Sequence, residues 1–123
     1  MVEQILPQEN SASNKLPFAD AHCDFLYGMT YYDYDIQTVS GHQSMSLRNM
    51  AAGGVKLQFF AAWTDMLLKQ NPLSQCLNMI DSYYRMLESN PCFVPFSRDF
   101  DVTQDKIATV LTVEGGEAIE GSV

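Results

Sequence analysis

Two short stretches of this sequence carry side chains that can do chemistry together: His22-Cys23-Asp24 near the start, and Glu114 just ahead of Gly115-Gly116. In an extended chain, residues two apart project to the same side, so His22 and Asp24 can offer an imidazole nitrogen and a carboxylate oxygen to one ion. Mixed nitrogen and oxygen ligation suits zinc or a similar divalent metal. Glu114 follows a β-branched run, at the carboxyl end of a strand, where parallel α/β sheets and barrels build their active sites. Each signal also has a plainer reading. A His beside an Asp is commonly a hydrogen-bonded structural pair, and Glu114 equally fits a carboxylate at a helix N-terminus.

What must position these residues is a set of strands and crossovers. The run Phe18-Ala19-Asp20-Ala21-His22-Cys23-Asp24-Phe25-Leu26 alternates small or apolar residues with ionisable ones and lacks Gly and Pro. It predicts a first strand with Asp20, His22 and Asp24 on one face. Tyr27 to Gln43 predicts a long connection with little regular structure, in which Tyr31, Tyr32 and Tyr34 form either a stacking surface or a folded loop with half-buried rings. His42, between Gly41 and Gln43, has no partner at ligand spacing and reads as a surface histidine. Ser46 to Ala52 predicts a short helix, capped by Ser46 and stopped by Gly53-Gly54.

A second strand is expected from Val55 to Ala62, with Val55, Leu57, Phe59 and Ala61 on one side. The long helix from Pro72 to Ser89 has Leu73, Cys76, Leu77, Ile80, Tyr84 and Leu87 on one stripe at spacings of three and four. Asn71 can cap it, Pro72 suits its first position, and Asp81 and Arg85 form a pair four apart. A variable stretch, Cys92 to Asp105, leads to a third strand, Ile107 to Val113. Glu114 keeps strand parity with Ala108, Val110 and Thr112, opposite Leu111 and Val113. All the connections are too long for hairpins, so the strands are expected to run parallel with helical crossovers, an α/β arrangement.

The chain has 123 residues and a formal charge of −8, with only seven Lys and Arg, scattered along its length. Phosphate binding needs clustered cations, so nucleic acid and anionic membrane surfaces are poor partners. No run approaches the length of a spanning helix, and the N-terminus carries Glu3 and Glu9 where a signal peptide would be basic, which predicts a cytoplasmic protein with no membrane segment. Cys23, Cys76 and Cys92 are odd in number and lack CxxC spacing, so they read as reduced thiols. Residues 1–15 are polar and aperiodic and read as a mobile leader, leaving 16–123 as the folded part.

The text Asp20-Ala21-His22-Cys23-Asp24 resembles the opening motif of the membrane dipeptidase (renal dipeptidase) family of zinc peptidases, where Asp-Gly-His-x-Asp is usual. Gly53-Gly54-Val55-Lys56-Leu57-Gln58-Phe59-Phe60 looks like that family's second strand, and Val113-Glu114-Gly115-Gly116-Glu117-Ala118-Ile119 looks like its Glu-Gly-Gly motif. The resemblance implies a (β/α)8 TIM barrel with two zinc ions at the carboxyl ends of its strands. His22 and Asp24 would hold the first ion, and Glu114 would bridge the two as the catalytic carboxylate. The implied substrate is a dipeptide, including one with a C-terminal D-residue, and the implied reaction is its hydrolysis.

A complete barrel of this kind takes about 250 residues, so the chain matches about three β/α units, the N-terminal portion truncated after the third strand. The second zinc would need histidines from later strands, which leaves at most one partial site here and an isolated chain expected to be inactive. A second reading is a non-catalytic subunit that completes its barrel by self-association or against a complementary C-terminal chain, since open sheet edges favour pairing. A third is another amidohydrolase-type metal-dependent hydrolase, although those more often open with His-x-His and residue 24 is Asp.

Overall fold

The computed structural model describes residues 15–120. The mobile leader expected over 1–15 therefore lies outside the described residues but for Lys15. Four parallel strands form one sheet in the order β1-β2-β4-β3: β1 (Phe18–Asp20), β2 (Val55–Trp63), β3 (Phe93–Pro95) and β4 (Ile107–Glu114). Helices α1 (Phe25–Tyr31), α2 (Leu47–Gly53) and α3 (Pro72–Ser89) lie in the connections, and a 3-10 turn (Glu117–Ile119) follows β4. Among the described residues no helix is long and apolar enough to cross a membrane.

Two expected elements change. The first strand stops at Asp20 rather than running through Leu26, and α1 begins at Phe25, inside that expected strand, and runs on into the segment expected to be irregular. Alternation of polar and apolar residues over four positions suits a turn leading into a helix as well as it suits a strand. The helical signal of α1 is masked by its three aromatic residues and by Gly28, all weak helix formers. Gly28 is there for packing: the Tyr34 ring occupies the space that a Cβ would take. Within the stretch read as variable, β3 pairs with the first three residues of β4, Phe93 with Ile107 and Pro95 with Thr109.

The helix caps fall where the sequence puts them. Asn71 Oδ1 accepts from the Ser74 N–H at 3.0 Å with Pro72 at the first turn, and Ser46 Oγ accepts from the Asn49 N–H at 3.2 Å. Gly54 ends α2 in the left-handed region, φ 86°, where a side chain would be strained. The Asp81–Arg85 pair forms at 2.9 Å on the exposed side of α3 and contributes about 0.3 kcal/mol.

The inward stripe of α3 differs from the expected one. Cys76, Met79, Tyr83 and Met86 are buried with Gln75 and Ser82, whereas Leu73, Leu77 and Tyr84 are exposed. Apolar residues surround more than half of this helix, and polar partners decide which stripe faces in. The Tyr83 hydroxyl meets the Thr109 hydroxyl at 2.8 Å, and Ser82 meets Thr30 of α1 at 2.9 Å. Gln75 accepts from the Asp65 N–H and donates to the carbonyls of Asp65 and Gln70, which pins the β2–α3 loop. Turning the other stripe inward would carry Gln75, Ser82 and Tyr83 away from these partners.

The sheet has two unlike faces. Phe60 and Thr109 face the helices, with the Phe60 ring 6.1 Å from Tyr83 and 5.8 Å from Phe93. In parallel register, Leu57, Phe59, Ala61 and Trp63 pair with Ala108, Val110, Thr112 and Glu114, so these eight share the opposite face. Val55 is buried, but Leu57, Phe59 and Val110 are only half-buried. The orientation of α3 has a direct check. Met79→Ala should lower the unfolding free energy by about 2–5 kcal/mol in urea denaturation, and Leu77→Ala by no more than about 0.5. The reverse ranking would mean that α3 packs on its other side.

Candidate metal centre

The chain leaves the sheet at Asp20 and is held on a short path to α1. Asp20 Oδ1 accepts from the backbone N–H of His22 at 3.2 Å, closing a tight turn. The Cys23 carbonyl then accepts from the Ala61 N–H at 2.9 Å, tying this segment to β2, and Asp24 stands at the N-cap of α1. His22 and Asp24 therefore share a side through a turn and a helix start, not through strand alternation as expected.

Asp24 is an N-cap residue that does not cap. Its side chain makes no hydrogen bond to the first turn of α1 and is directed to His22 instead, with Asp24 Oδ1 3.3 Å from His22 Nε2. Glu114, the last residue of β4, comes from the other side of the sequence, its Oε2 also 3.3 Å from His22 Nε2. Gly115 follows with φ 81°, a left-handed conformation that turns the chain away at once. All three predicted site residues are thus brought together, with one ligand atom from each lying within 4.8 Å of the others.

The cluster offers one imidazole and two carboxylates, a donor set that could hold a metal ion. Its side chains are about half exposed, and two carboxylates converge on one imidazole nitrogen, which carries at most one proton to share between them. Among the described residues no Lys or Arg pairs with either carboxylate. Ligands at 2.0–2.1 Å from a tetrahedral ion stand about 3.3–3.4 Å apart, the spacing seen from His22 to both carboxylates. The donor set and its spacing fit a divalent ion such as zinc.

Neighbouring groups do not compete for that role. Burial, reinforced by the carboxylates of Asp20 and Asp24, pushes the Cys23 thiol up to about 12, so it stays protonated. His42 lies apart from the cluster on an exposed loop, where its carbonyl accepts from the Tyr34 hydroxyl.

Trp63 escaped the sequence reading. It is the register partner of Glu114 on the adjacent strand, packs edge-on against Tyr27 at 5.3 Å, and is one-third exposed. Its parity with Leu57, Phe59 and Ala61 was the available signal. Tyr27 donates to Asp65 Oδ2 at 2.8 Å, and this bond raises its phenol above the ordinary range. Tyr31 and Tyr32 pack on Tyr27 at 5.2 and 5.7 Å, which extends the aromatic cluster away from Trp63.

The family model for membrane dipeptidase, peptidase family M19, matches residues 6–123. The chain belongs to this family. No curated protein matches it. Membership in the membrane dipeptidase family agrees with the parallel sheet and its crossovers, which form part of a β/α barrel. It also accords with a cluster lying where such barrels carry their chemistry.

Burial raises the thiols of Cys76 and Cys92 as well, favouring the protonated form in the folded chain. Their contribution to stability is therefore present at neutral pH and is lost as pH rises past the ordinary thiol value of about 8.5. Iodoacetamide at pH 8, followed by peptide mapping, should modify both at least about tenfold more slowly in the native chain than in urea. Equal rates would show that the two thiols are not buried.

Proposed function

We propose that this chain carries the first metal position of a dipeptide-hydrolysing centre, with His22, Asp24 and Glu114 as the ligands of a zinc ion. The observation that carries this reading is the convergence of three unlike donors, from a turn, a helix start and a strand end, on one point at the carboxyl edge of the sheet. Family membership supplies the reaction class. When bound there, a divalent ion would act as a Lewis acid on a peptide carbonyl and on water.

The chain's own residues set the conditions. His22 must be neutral and offer the Nε2 lone pair, so the imidazole proton sits on Nδ1. Asp24 and Glu114 together neutralise a doubly charged ion. Oε2 of Glu114 faces His22, and the second oxygen of that carboxylate would take the bridging or proton-accepting role that the family resemblance implies.

The sequence holds two histidines, and His42 is not part of the cluster. The described residues therefore provide one three-ligand position, and a second ion would need imidazoles from elsewhere. On this basis the 123-residue chain alone binds one zinc and does not turn over dipeptides, including those with a C-terminal D-residue. The half-buried face of Leu57, Phe59 and Val110 favours a second reading, in which a partner chain or another copy completes the barrel.

Competition against a chromophoric chelator tests the ligand set. The wild-type chain should take up one zinc, and His22→Ala and Glu114→Gln should each weaken binding by at least about tenfold. Unchanged affinity in both variants would remove the proposed centre. Robust dipeptide turnover by the purified monomer would sink the claim of a half-centre, and a monomeric mass in solution would count against the second reading.

A further inference from the structure

Gln58 lies in the middle of β2 and is completely buried, on the helix side of the sheet by its strand parity with Phe60. Its Nε2 donates to the Phe59 carbonyl at 3.1 Å and to the Asp20 carbonyl at 3.4 Å. Its Oε1 is buried as well, and among the described residues it accepts no hydrogen bond. Exchanging the two ends of the amide would set the oxygen against two carbonyls, so only this orientation pairs anything. Thr109, the register partner of Gln58, directs its hydroxyl to Tyr83 and the Val94 carbonyl instead.

A buried acceptor without a partner is destabilising, and an apolar side chain of the same length would avoid it. What the amide supplies is a tie to the end of β1. That strand is three residues long, and its register on β2 breaks between Phe18 and Ala19, so the ladder alone holds it weakly. The last register pair is Asp20 with Gln58, and the next tie to β2 is the Cys23 carbonyl on the Ala61 N–H. His22 lies between these two ties, with its own N–H bonded to the Asp20 carboxylate. Asp20 therefore carries the turn, and the Gln58 amide holds Asp20 from the buried side.

We propose that Gln58 is a positioning residue for the metal centre. Its amide fixes the Asp20 carbonyl, and through the turn from Asp20 to His22 it sets where the imidazole stands relative to Asp24 and Glu114. Gln58 itself touches neither an ion nor a substrate. The proposal rests on the reading of His22, Asp24 and Glu114 as zinc ligands, and it explains why a core position carries a half-paired amide.

Gln58→Met tests it, because methionine is unbranched, of similar length, and without a polar group to bury. In the competition titration the variant should bind zinc about tenfold more weakly than the wild-type chain. Its urea midpoint should be unchanged or higher, since the unpaired oxygen has gone. Hydrogen exchange of the metal-free variant should quicken at the His22 amide by about threefold or more, with Phe60 and Val110 keeping their rates. Zinc affinity within twofold of wild type would overturn the proposal. A lower urea midpoint, or a variant that does not fold, would also overturn it by showing that the amide serves the core. A wild-type chain that takes up no zinc would remove the metal reading instead, and His22 exchange, which needs no metal, would still decide whether Gln58 holds the turn.

Discussion

The parallel register between β2 and β4 is the constraint on which the carboxyl edge depends. Leu57 through Trp63 pair in step with Ala108 through Glu114, and that pairing decides which side of the sheet each β4 side chain takes. A slip of one residue would send Glu114 to the helix side and bring Val113 toward His22. Helix α3 and strand β3 hold the register from one face, because Phe60 meets the Tyr83 ring and the Phe93 edge while Thr109 meets the Tyr83 hydroxyl. The geometry of the candidate centre is thus fixed by packing some distance from it.

The candidate site itself is a place where local stability gives way to a different use of polar groups. Asp24 occupies a cap position yet leaves the first turn of α1 without a side-chain cap, an arrangement that ordinarily costs about 1 kcal/mol. Two carboxylates stand near one imidazole, and among the described residues no Lys or Arg pairs with them. By contrast, the buried amides of Gln43 and Gln75 make several bonds each to loop backbone, and the loops they hold carry the tyrosines and Asp65 around the edge of the sheet. Those two amides are taken up by loop backbone, whereas the two carboxylates of the cluster have the His22 imidazole as their near neighbour.

Much of this could be read from residue order, and the failures have identifiable causes. Asn71-Pro72 and Asn90-Pro91 fixed both ends of α3 because cap and proline chemistry is local. Strand parity put Glu114 on the face of Ala108, Val110 and Thr112, since a period of two survives any tertiary detail. His22 and Asp24 were assigned to the same side correctly but by the wrong route, as four alternating residues do not distinguish a strand from a turn and a helix start. The inward stripe of α3 was missed because hydropathy cannot weigh Ser82 against Thr30 or Tyr83 against Thr109, groups far apart in the chain. Strand β3, three residues long, is too short to show a period at all.

The crossovers also impose an order in time. His22 and Asp24 leave the ribosome long before Glu114, and β2 must wait for about fifty further residues before its partner β4 exists. Until then the Leu57 to Trp63 edge has no β4 to pair with, and two of the three donors stand without the third. In vectorial synthesis the three side chains can therefore come together only after α3 and β3 have been made.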